Sequence, residues 1–450
     1  MTAELAVIVL AAGEGTRMKS ARPKVLHEVA HRPMIAHVLA AVRELSPRRM
    51  LVVIAKDGEA VAAAAAPAES VVQSPALGTA HAVRTALATL GPFAGDVLVV
   101  YGDTPLLTAE TLRALLVGRR RAVAAAVAVM GMRPAAPGAY GRLVLAADGS
   151  LEAIVEAGDA DAGQRKIGLC NSGVMAFEGA LAPELVGAVR NANSKREFYL
   201  TDVVAIARGR GLLCRAIEAP AEELIGVNSR AELAVAEATL QQRLRARHMA
   251  AGVTLVDPTT VYFSADTLIG RDTVIEPSVV FGPGVRVGEG AEIRAFSHIM
   301  GAEIGDRTTI GPFARLRQGA KLGNEVRIGN FVEVKEARLG AGTRVNHLSY
   351  IGDSVVGSRV NIGAGTITCN FDGFVKSQTK IGDGAFIGSN SALVAPVSIG
   401  ADAIVGAGSV IVEDVPAEAL SVGRGKQVNK PGRARELRAA GARKKERSKA

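Results

Sequence analysis

The stretch Ile304-Gly305-Asp306-Arg307-Thr308-Thr309-Ile310-Gly311-Pro312-Phe313-Ala314-Arg315-Leu316 puts an aliphatic residue at every sixth position, and the phase runs on through Leu322, Ile328 and Val334. Ile381, Ile387, Leu393, Ile399, Val405 and Ile411 form a second unbroken series, and glycine follows many of these residues, as in Ile328-Gly329 and Ile387-Gly388. One inward-pointing aliphatic per face suits a triangular coil of about eighteen residues, repeated eight to ten times; this is the hexapeptide signature of a parallel β-helix. A β-sandwich has turn signals but no six-residue phase. Between Ile367 and Ile381 the register breaks over Thr368 to Thr379, which contains Cys369-Asn370-Phe371-Asp372-Gly373. That break predicts a loop leaving the scaffold, the kind of place where binding groups collect.

Upstream of the repeats, Ser229 and Glu232 form a capping-box signature, and Leu233, Ala236, Leu240 and Leu244 recur at helical spacing until Gly252. This predicts a connecting helix over 229–248, with a first domain over 1–228 and the repeat domain over 249–424. The first domain alternates apolar runs, Ala6 to Leu10, Met50 to Ala55, Val97 to Tyr101 and Ala122 to Met130, with amphipathic segments such as Ile35 to Leu45 and Thr79 to Leu90. That order predicts an α/β domain with a largely parallel sheet, whose ligands bind beyond the carboxyl ends of the strands. The loops after Leu10 and Tyr101 lie at such ends.

The 450 residues carry a formal charge of +9, but Arg424 to Ala450 holds eleven Lys/Arg and two Glu, so the tail alone accounts for it. The rest of the chain is neutral, which argues against a specific nucleic-acid partner. Residues 425–450 read as a basic, solvated and disordered tail, with anionic partners as the alternative. No apolar run approaches the roughly 20 residues of a bilayer helix, so no membrane insertion is expected. Leu5 to Ala12 lacks a preceding basic residue and is followed at once by Glu14, Arg17 and Lys19, so it reads as a buried strand and not an export signal. Cys170, Cys214 and Cys369 are odd in number and widely spaced, which favours reduced thiols and a cytoplasmic location.

Leu10-Ala11-Ala12-Gly13-Glu14-Gly15-Thr16-Arg17-Met18, with Arg22-Pro23-Lys24, follows the first strand. Glycine backbone N–H groups can close around phosphate there, and Arg17 and Lys24 can neutralise its charge. Neither the P-loop nor the dinucleotide fingerprint fits: the first lacks its Gly-Lys-Ser/Thr end, and Met18 stands where the second needs a third glycine. His27-Glu28-Val29-Ala30-His31 matches H-E-x-x-H, but Pro33 argues against a helix there and no third ligand pattern follows, so an exposed loop is expected.

The glycine-rich run resembles the signature of sugar-nucleotide pyrophosphorylases, and further matches follow in order. Leu77-Gly78-Thr79-Ala80-His81, Tyr101-Gly102-Asp103, Tyr140-Gly141-Arg142, Ile154-Val155-Glu156, Asn171-Ser172-Gly173, Tyr199-Leu200-Thr201-Asp202 and Gly226-Val227-Asn228 are similar to the uridylyltransferase half of the bifunctional N-acetylglucosamine-1-phosphate uridylyltransferase/glucosamine-1-phosphate N-acetyltransferase family. Arg315-Leu316-Arg317, Asn330 to Lys335, His347 to Tyr350, Asn361 to Gly365 and Cys369-Asn370 resemble its acetyltransferase half. The resemblance covers nearly the whole chain. It implies a Rossmann-like nucleotidyltransferase domain followed by a left-handed parallel β-helix, and synthesis of UDP-N-acetylglucosamine.

The same resemblance implies residue roles. Leu10, Ala11, Ala12, Gly13, Lys24, Gly78, Thr79, Tyr101, Gly102, Asp103, Gly141, Glu156, Asn171 and Asn228 would bind UTP and the sugar nucleotide. Asp103 and Asn228 would hold Mg²⁺, with Arg17 and Lys24 assisting catalysis. His347 would be the general base of acetyl transfer, with Glu333 as its orienting partner. Arg317, Lys335, Tyr350, Asn361 and Lys376 would bind glucosamine 1-phosphate. Ala364, Asn370, Phe371, Ser389, Ala407 and Arg424 would meet acetyl-CoA. Related β-helices are trimers with sites between subunits, so a homotrimer is expected, with Lys376 or Arg424 contributed across an interface. Three positions depart from the family pattern: Phe371 stands where Tyr is common, Gly158 where a basic residue is common, and Ala76 where a Gln reads the uracil edge. Gln73 or Ser74 could supply that amide's function. The competing enzyme reading is a pyrophosphorylase for another sugar 1-phosphate with a purely structural β-helix, but His347 with Arg317 and Lys335 argues against it. A non-catalytic scaffold would not need Gly13, Arg17, Lys24, Asp103 and Asn228 in order.

Overall fold

A computed structural model describes residues 4–13, 15–121, 123–193 and 196–448, apart from the side chain of Glu446. The chain forms two compact units: one runs to Arg247 and takes in Tyr262–Ala265, and the other comprises His248–Val261 and the chain from Asp266 onward.

In the first unit seven strands lie in the order Cys214–Glu218, Val127–Met132, Cys170–Glu178, Asp96–Tyr101, Leu5–Leu10, Arg49–Ile54, Glu69–Val72. Adjacent pairs are parallel except where Cys170–Glu178 runs against both neighbours. The first strand shows why its run is apolar on both sides. Ala6, Ile8 and Leu10 face the helix Thr79–Leu90, while Leu5, Val7 and Val9 face the helix Met34–Arg43, so each face of the sheet has its own core. Leu10 pairs with Tyr101 at the ends of adjacent strands. From Leu5–Leu10 the chain winds first to one side and then to the other, so this pair marks the switch point where α/β sheets open a crevice.

The expected strands over 6–10, 50–55 and 97–101 and the helix over 79–90 are present within a residue or so. The fourth expected strand is shifted: it runs Val127–Met132, residues 123–126 are not strand, and Ala122 lies outside the described residues, as does Glu14. The capping box is formed. Ser229 Oγ accepts from the Glu232 N–H at 3.2 Å, and Glu232 reaches back to the Asn228 N–H at 2.7 Å. The helix it opens, Arg230–Ala250, packs Leu233, Ala236 and Leu240 against Val29, Met34, Leu106 and Val227 of the first unit. What the sequence suggested as a connector is therefore, for most of its length, part of that unit's core.

The H-E-x-x-H segment is not the exposed loop expected. Glu28–Val29 and Arg32–Pro33 form a two-stranded hairpin, Ala30 and His31 turn at φ 47° and 58°, and His27 is buried with Nδ1 3.2 Å from Arg230 Nη1. Burial, then the charges of Arg230 and Arg22, lower the His27 pKa. Among the described residues no cluster of three His, Cys, Asp or Glu could hold a metal, and no helix is long and apolar enough to cross a membrane. The cysteines are unpaired; Cys170 and Cys214 are buried, and burial pushes the Cys214 thiol up to about 11.

The second unit is the left-handed parallel β-helix. Short strands stack in parallel ladders, ten of them in one sheet from Thr254–Leu255 to Leu420–Ser421, which means ten coils. Every member of the two six-residue series, Ile304 to Val334 and Ile381 to Ile411, is buried. Between the two end coils, partners across the ladders are 17 or 18 residues apart, except where the break in register inserts extra chain, so that Asn361 pairs with Phe386. The inserted segment is a small hairpin: Phe371 bridges Lys376, and Asp372 Oδ1 accepts from the Phe374 and Val375 N–H groups at 2.8 Å.

The tail differs from expectation. Arg433–Arg447 is a helix, and its described residues are all exposed, so local propensity and the Arg433–Glu436 pair at 2.8 Å account for it rather than packing. Residues 449 and 450 lie outside the described residues.

Candidate active sites

The crevice at the Leu10/Tyr101 strand ends is a cleft of about 930 Å³. Leu10, Ala11, Ala12, Gly13, Lys24, Gly78, Thr79, Tyr101, Asp103, Glu156, Asn171 and Asn228 all line it, although they come from distant parts of the chain. Lys24 rises from the turn Lys24–Leu26 and passes Gly15, where a Cβ would lie 2.5 Å from Lys24 Cβ; Gly15 also has φ +65°, so only glycine fits. Lys24 Nζ reaches both the Asp103 carboxylate and Asn228 Oδ1, the latter at 3.0 Å. Three residues spread over 204 positions of the chain thus meet at one point of charge.

The far wall is built from hydrogen bonds between motif residues. Thr201 Oγ1 donates to Glu156 Oε1 at 3.1 Å, Thr79 Oγ1 accepts from the Leu200 N–H at 3.0 Å, and Asn171 donates its N–H to the Gly141 carbonyl at 2.8 Å. Burial, then Asp103 and Glu156, raise the Tyr101 pKa, so the phenol stays neutral throughout the physiological range. Burial and Glu156 raise that of Asp202.

Three expected residues are not on the lining. Gly102 sits behind it and gives its N–H to the Leu10 carbonyl at 2.9 Å, Gly141 supports Asn171, and Arg17 is exposed on the turn Thr16–Met18. The lining also includes Thr16, Glu197, Tyr199 and Thr201, to which the sequence attached no role, and it includes Ala76 together with Gln73, the candidate for reading the base. Gln73 is 5% exposed, and its Nε2 lies 3.0 Å from the Gly78 carbonyl and 3.1 Å from His81 Nδ1.

Two side-chain oxygens held close together, those of Asp103 and Asn228, suit a hard cation. Asp103 and Asn228 already converge on one ammonium, the Val227 N–H donates to the Asp103 carbonyl at 2.9 Å, and Asn228 Nδ2 donates to Gly226 O at 3.2 Å, which leaves Oδ1 aimed at the cation. Mg²⁺ takes few protein oxygens and keeps its remaining positions for water and phosphate, so this donor set fits it.

In the β-helix, five of the expected acetyl-transfer residues, His347, Ala364, Ser389, Ala407 and Arg424, fall on one ladder. The Leu348 N–H donates to Asn330 O, Gly365 to His347 O, Asn390 to Ala364 O and Gly408 to Ser389 O; Arg424 Nη1 then meets the Ala407 carbonyl. Asn330, His347, Ala364, Ser389 and Ala407 therefore form a single ridge, one residue per coil. His347 is exposed on it, and its Nδ1 lies 2.8 Å from Asn330 Oδ1. An amide oxygen only accepts, so Nδ1 carries the proton and Nε2 keeps the free lone pair a base needs.

This corrects the partner expected for His347. Glu333 is engaged elsewhere, with Arg317 at 2.8 Å and Arg315 at 3.8 Å. The reason is the coil period: Asn330 is 17 residues before His347 and stacks beneath it, whereas Glu333 stacks beneath Tyr350 on the adjoining face. Lys335 follows Glu333 on that face, and Arg317 joins it through its N–H to the Val334 carbonyl at 2.8 Å. The Glu333 carboxylate raises the Arg317 pKa. Asn361 lies on the His347 sheet. Asn370 is 9% exposed with its amide on the Asp353 carboxylate, and Phe371 and Lys376 are exposed on the hairpin.

Comparison with known proteins bears on both units. Residues 7–169 match the MobA-like NTP transferase domain, and residues 266–301, 301–336 and 378–413 match the bacterial transferase hexapeptide repeat. A protein of Paramagnetospirillum magneticum named bifunctional protein GlmU is 55% identical over 99% of both chains. Proteins of the same name are 57% identical in Rhodospirillum rubrum, over 96% of this chain and 97% of that one, and 56% identical in Azorhizobium caulinodans, over 97% and 98%.

Proposed function

Because the chain belongs to the bifunctional GlmU family, we propose a division of its two reactions between the cleft and the β-helix ridge. The protein acetylates glucosamine 1-phosphate with acetyl-CoA, then transfers uridylyl from UTP to N-acetylglucosamine 1-phosphate and releases pyrophosphate, with Mg²⁺ in the second step. The observation that carries this reading is the span of the likeness, which runs through both units rather than one. Pyrophosphate release from UTP and N-acetylglucosamine 1-phosphate, and free coenzyme A release from acetyl-CoA and glucosamine 1-phosphate, test it on one preparation; absence of either overturns it.

In the cleft, a phosphate oxygen of the sugar attacks the α-phosphorus of UTP while the bond to pyrophosphate breaks. Gly13 and its neighbours supply backbone N–H groups to the phosphates, Lys24 and Arg17 offset their charge, and Glu156, Asn171, Gly141 and Thr79 orient the sugar. Asp103 and Asn228 would hold Mg²⁺, which when bound neutralises phosphate charge. No protein nucleophile is needed.

On the ridge, His347 Nε2 takes a proton from the amine of glucosamine 1-phosphate as the nitrogen attacks the thioester carbonyl, and coenzyme A leaves as the thiol. Asn330 holds the ring. Arg317, Lys335, Tyr350, Asn361 and Lys376 bind the sugar phosphate, and Glu333 acts by fixing Arg317. Ala364, Ser389 and Ala407 offer small side chains against which the donor lies, with Asn370, Phe371 and Arg424 at its margins.

We place the site between subunits of a cytoplasmic homotrimer. Phe296, Phe313 and Phe331 stack on one corner with centroids 4.9 and 5.3 Å apart, all well exposed, and Leu348 continues the column beside His347. Phe374 at the hairpin tip is 91% exposed. Exposed apolar surface of this extent fits a protein partner, here further copies of the chain, which would bring Lys376 or Arg424 to a neighbour's ridge. Light scattering should give three times the monomer mass; a fully active monomer would contradict the assignment.

Base selection falls to Gln73. Uracil presents N3–H as a donor where cytosine presents an acceptor, and Gln73, with its nitrogen held by Gly78 and His81, offers its oxygen to that donor. Gln73→Ala is expected to lower the preference for UTP over CTP by up to roughly tenfold. Ala76→Gln should change it little, because the function is already supplied. Competition between the two nucleotides checks both.

A further inference from the structure

The reading that Asp103 and Asn228 hold a divalent cation has a consequence for Lys24. Both oxygens are fixed: each loop is pinned by the Val227-to-Asp103 backbone bond, and Asn228 is oriented by its own bond to Gly226. The flexible partner is the lysine, whose ammonium lies on both oxygens, with its side chain and that of Asp103 each only 13% exposed. A metal–oxygen bond to Mg²⁺ is about 2.0–2.1 Å. An ion at that distance from the two oxygens and an ammonium hydrogen-bonded to the same two would overlap, and their charges repel.

The geometry points to Lys24 as a displaceable internal cation that competes with the metal for Asp103 and Asn228. When the metal arrives with the nucleotide, the ammonium gives up the two oxygens and takes phosphate oxygens instead, so neither the carboxylate nor the ammonium is left unpaired. Without a nucleotide, Lys24 has no such second partner, and the metal must displace it for nothing in return. Metal and nucleotide binding are thereby coupled through one side chain. Gly15 makes the motion possible, since it leaves the lysine stem unobstructed where any Cβ would press on it.

The probe is Mn²⁺, whose free concentration is read by electron paramagnetic resonance on the full-length protein with no nucleotide present. Lys24→Met and Lys24→Gln are both expected to bind Mn²⁺ more tightly than the wild type, on the order of tenfold, because the positive charge that competes for the two oxygens is removed. UTP should raise Mn²⁺ affinity by a larger factor in the wild type than in either variant. The use of two variants, each checked by its thermal melt, separates the charge effect from a packing defect. Mn²⁺ binding that is unchanged or weaker in both folded variants would overturn the inference. Adding Asp103→Asn to Lys24→Met should abolish the tight site. If it does not, the metal assignment itself is wrong, a failure distinct from that of the displacement.

Discussion

Replacing His347 with alanine is expected to slow coenzyme A release by about 10²–10⁴-fold while leaving uridylyl transfer to N-acetylglucosamine 1-phosphate at its original rate. The amine of glucosamine 1-phosphate must lose a proton as it forms the amide, and at the ridge His347 has the free Nε2 lone pair to take it. Its Nδ1 is fixed by Asn330 at 2.8 Å, one coil below. The side chain is exposed and carries none of the β-helix core, which consists of the buried aliphatic series. The substitution therefore removes chemistry without removing packing. Thiol titration of released coenzyme A, run beside a pyrophosphate assay on the same protein, measures both halves. Equal loss of both activities in a folded protein would show that His347 is not a dedicated acetyl-transfer base.

The reciprocal change, Asp103→Ala, is expected to lower uridylyl transfer by on the order of 10³-fold or more and to spare acetyl transfer. Among the described residues Asp103 is the one carboxylate paired with Lys24 in the cleft, and it supplies the charged member of the proposed metal pair. Losing it removes the cation that offsets phosphate charge as pyrophosphate departs, a contribution of several kcal/mol. It also leaves the Lys24 ammonium with Asn228 alone. Raising the Mg²⁺ concentration should recover little of the rate, because the charged ligand itself is gone. Full recovery at high Mg²⁺ would instead mean that Asp103 tunes metal affinity without being needed at the reacting phosphates.

Much of this was legible in the sequence because the relevant physics is local or periodic. A six-residue phase of aliphatics has one economical solution, and Ile304 to Val334 are buried as that solution requires. Loops that follow buried strands stand at sheet ends, which is why Leu10 to Gly13 and Asp103 meet in a single cleft. Stacking between coils was harder to read. Glu333 and His347 are close in the motif but fall on different faces, whereas Asn330 lies one coil period from His347 and becomes its partner. That 17-residue offset was present in the sequence, and applying it to the polar positions would have found Asn330. Thr201 and Glu197 reach the cleft through a fold-back that no local pattern reports. Gln73 was visible as a candidate, but only the bonds to Gly78 and His81 show how it is held. In the tail, composition argued for disorder, yet Ala, Arg, Lys and Leu are also good helix formers, and Arg433–Arg447 is helical without burying anything.

The central claim, that two independent sites on one chain carry successive steps, is tested most directly by mixing the two singly inactivated proteins. Each alone, given glucosamine 1-phosphate, acetyl-CoA, UTP and Mg²⁺, should make almost no UDP-N-acetylglucosamine. Together they should make it readily, because the Asp103→Ala protein releases N-acetylglucosamine 1-phosphate and the His347→Ala protein consumes it. A mixture that remains inactive, with both proteins folded, would contradict the two-site account.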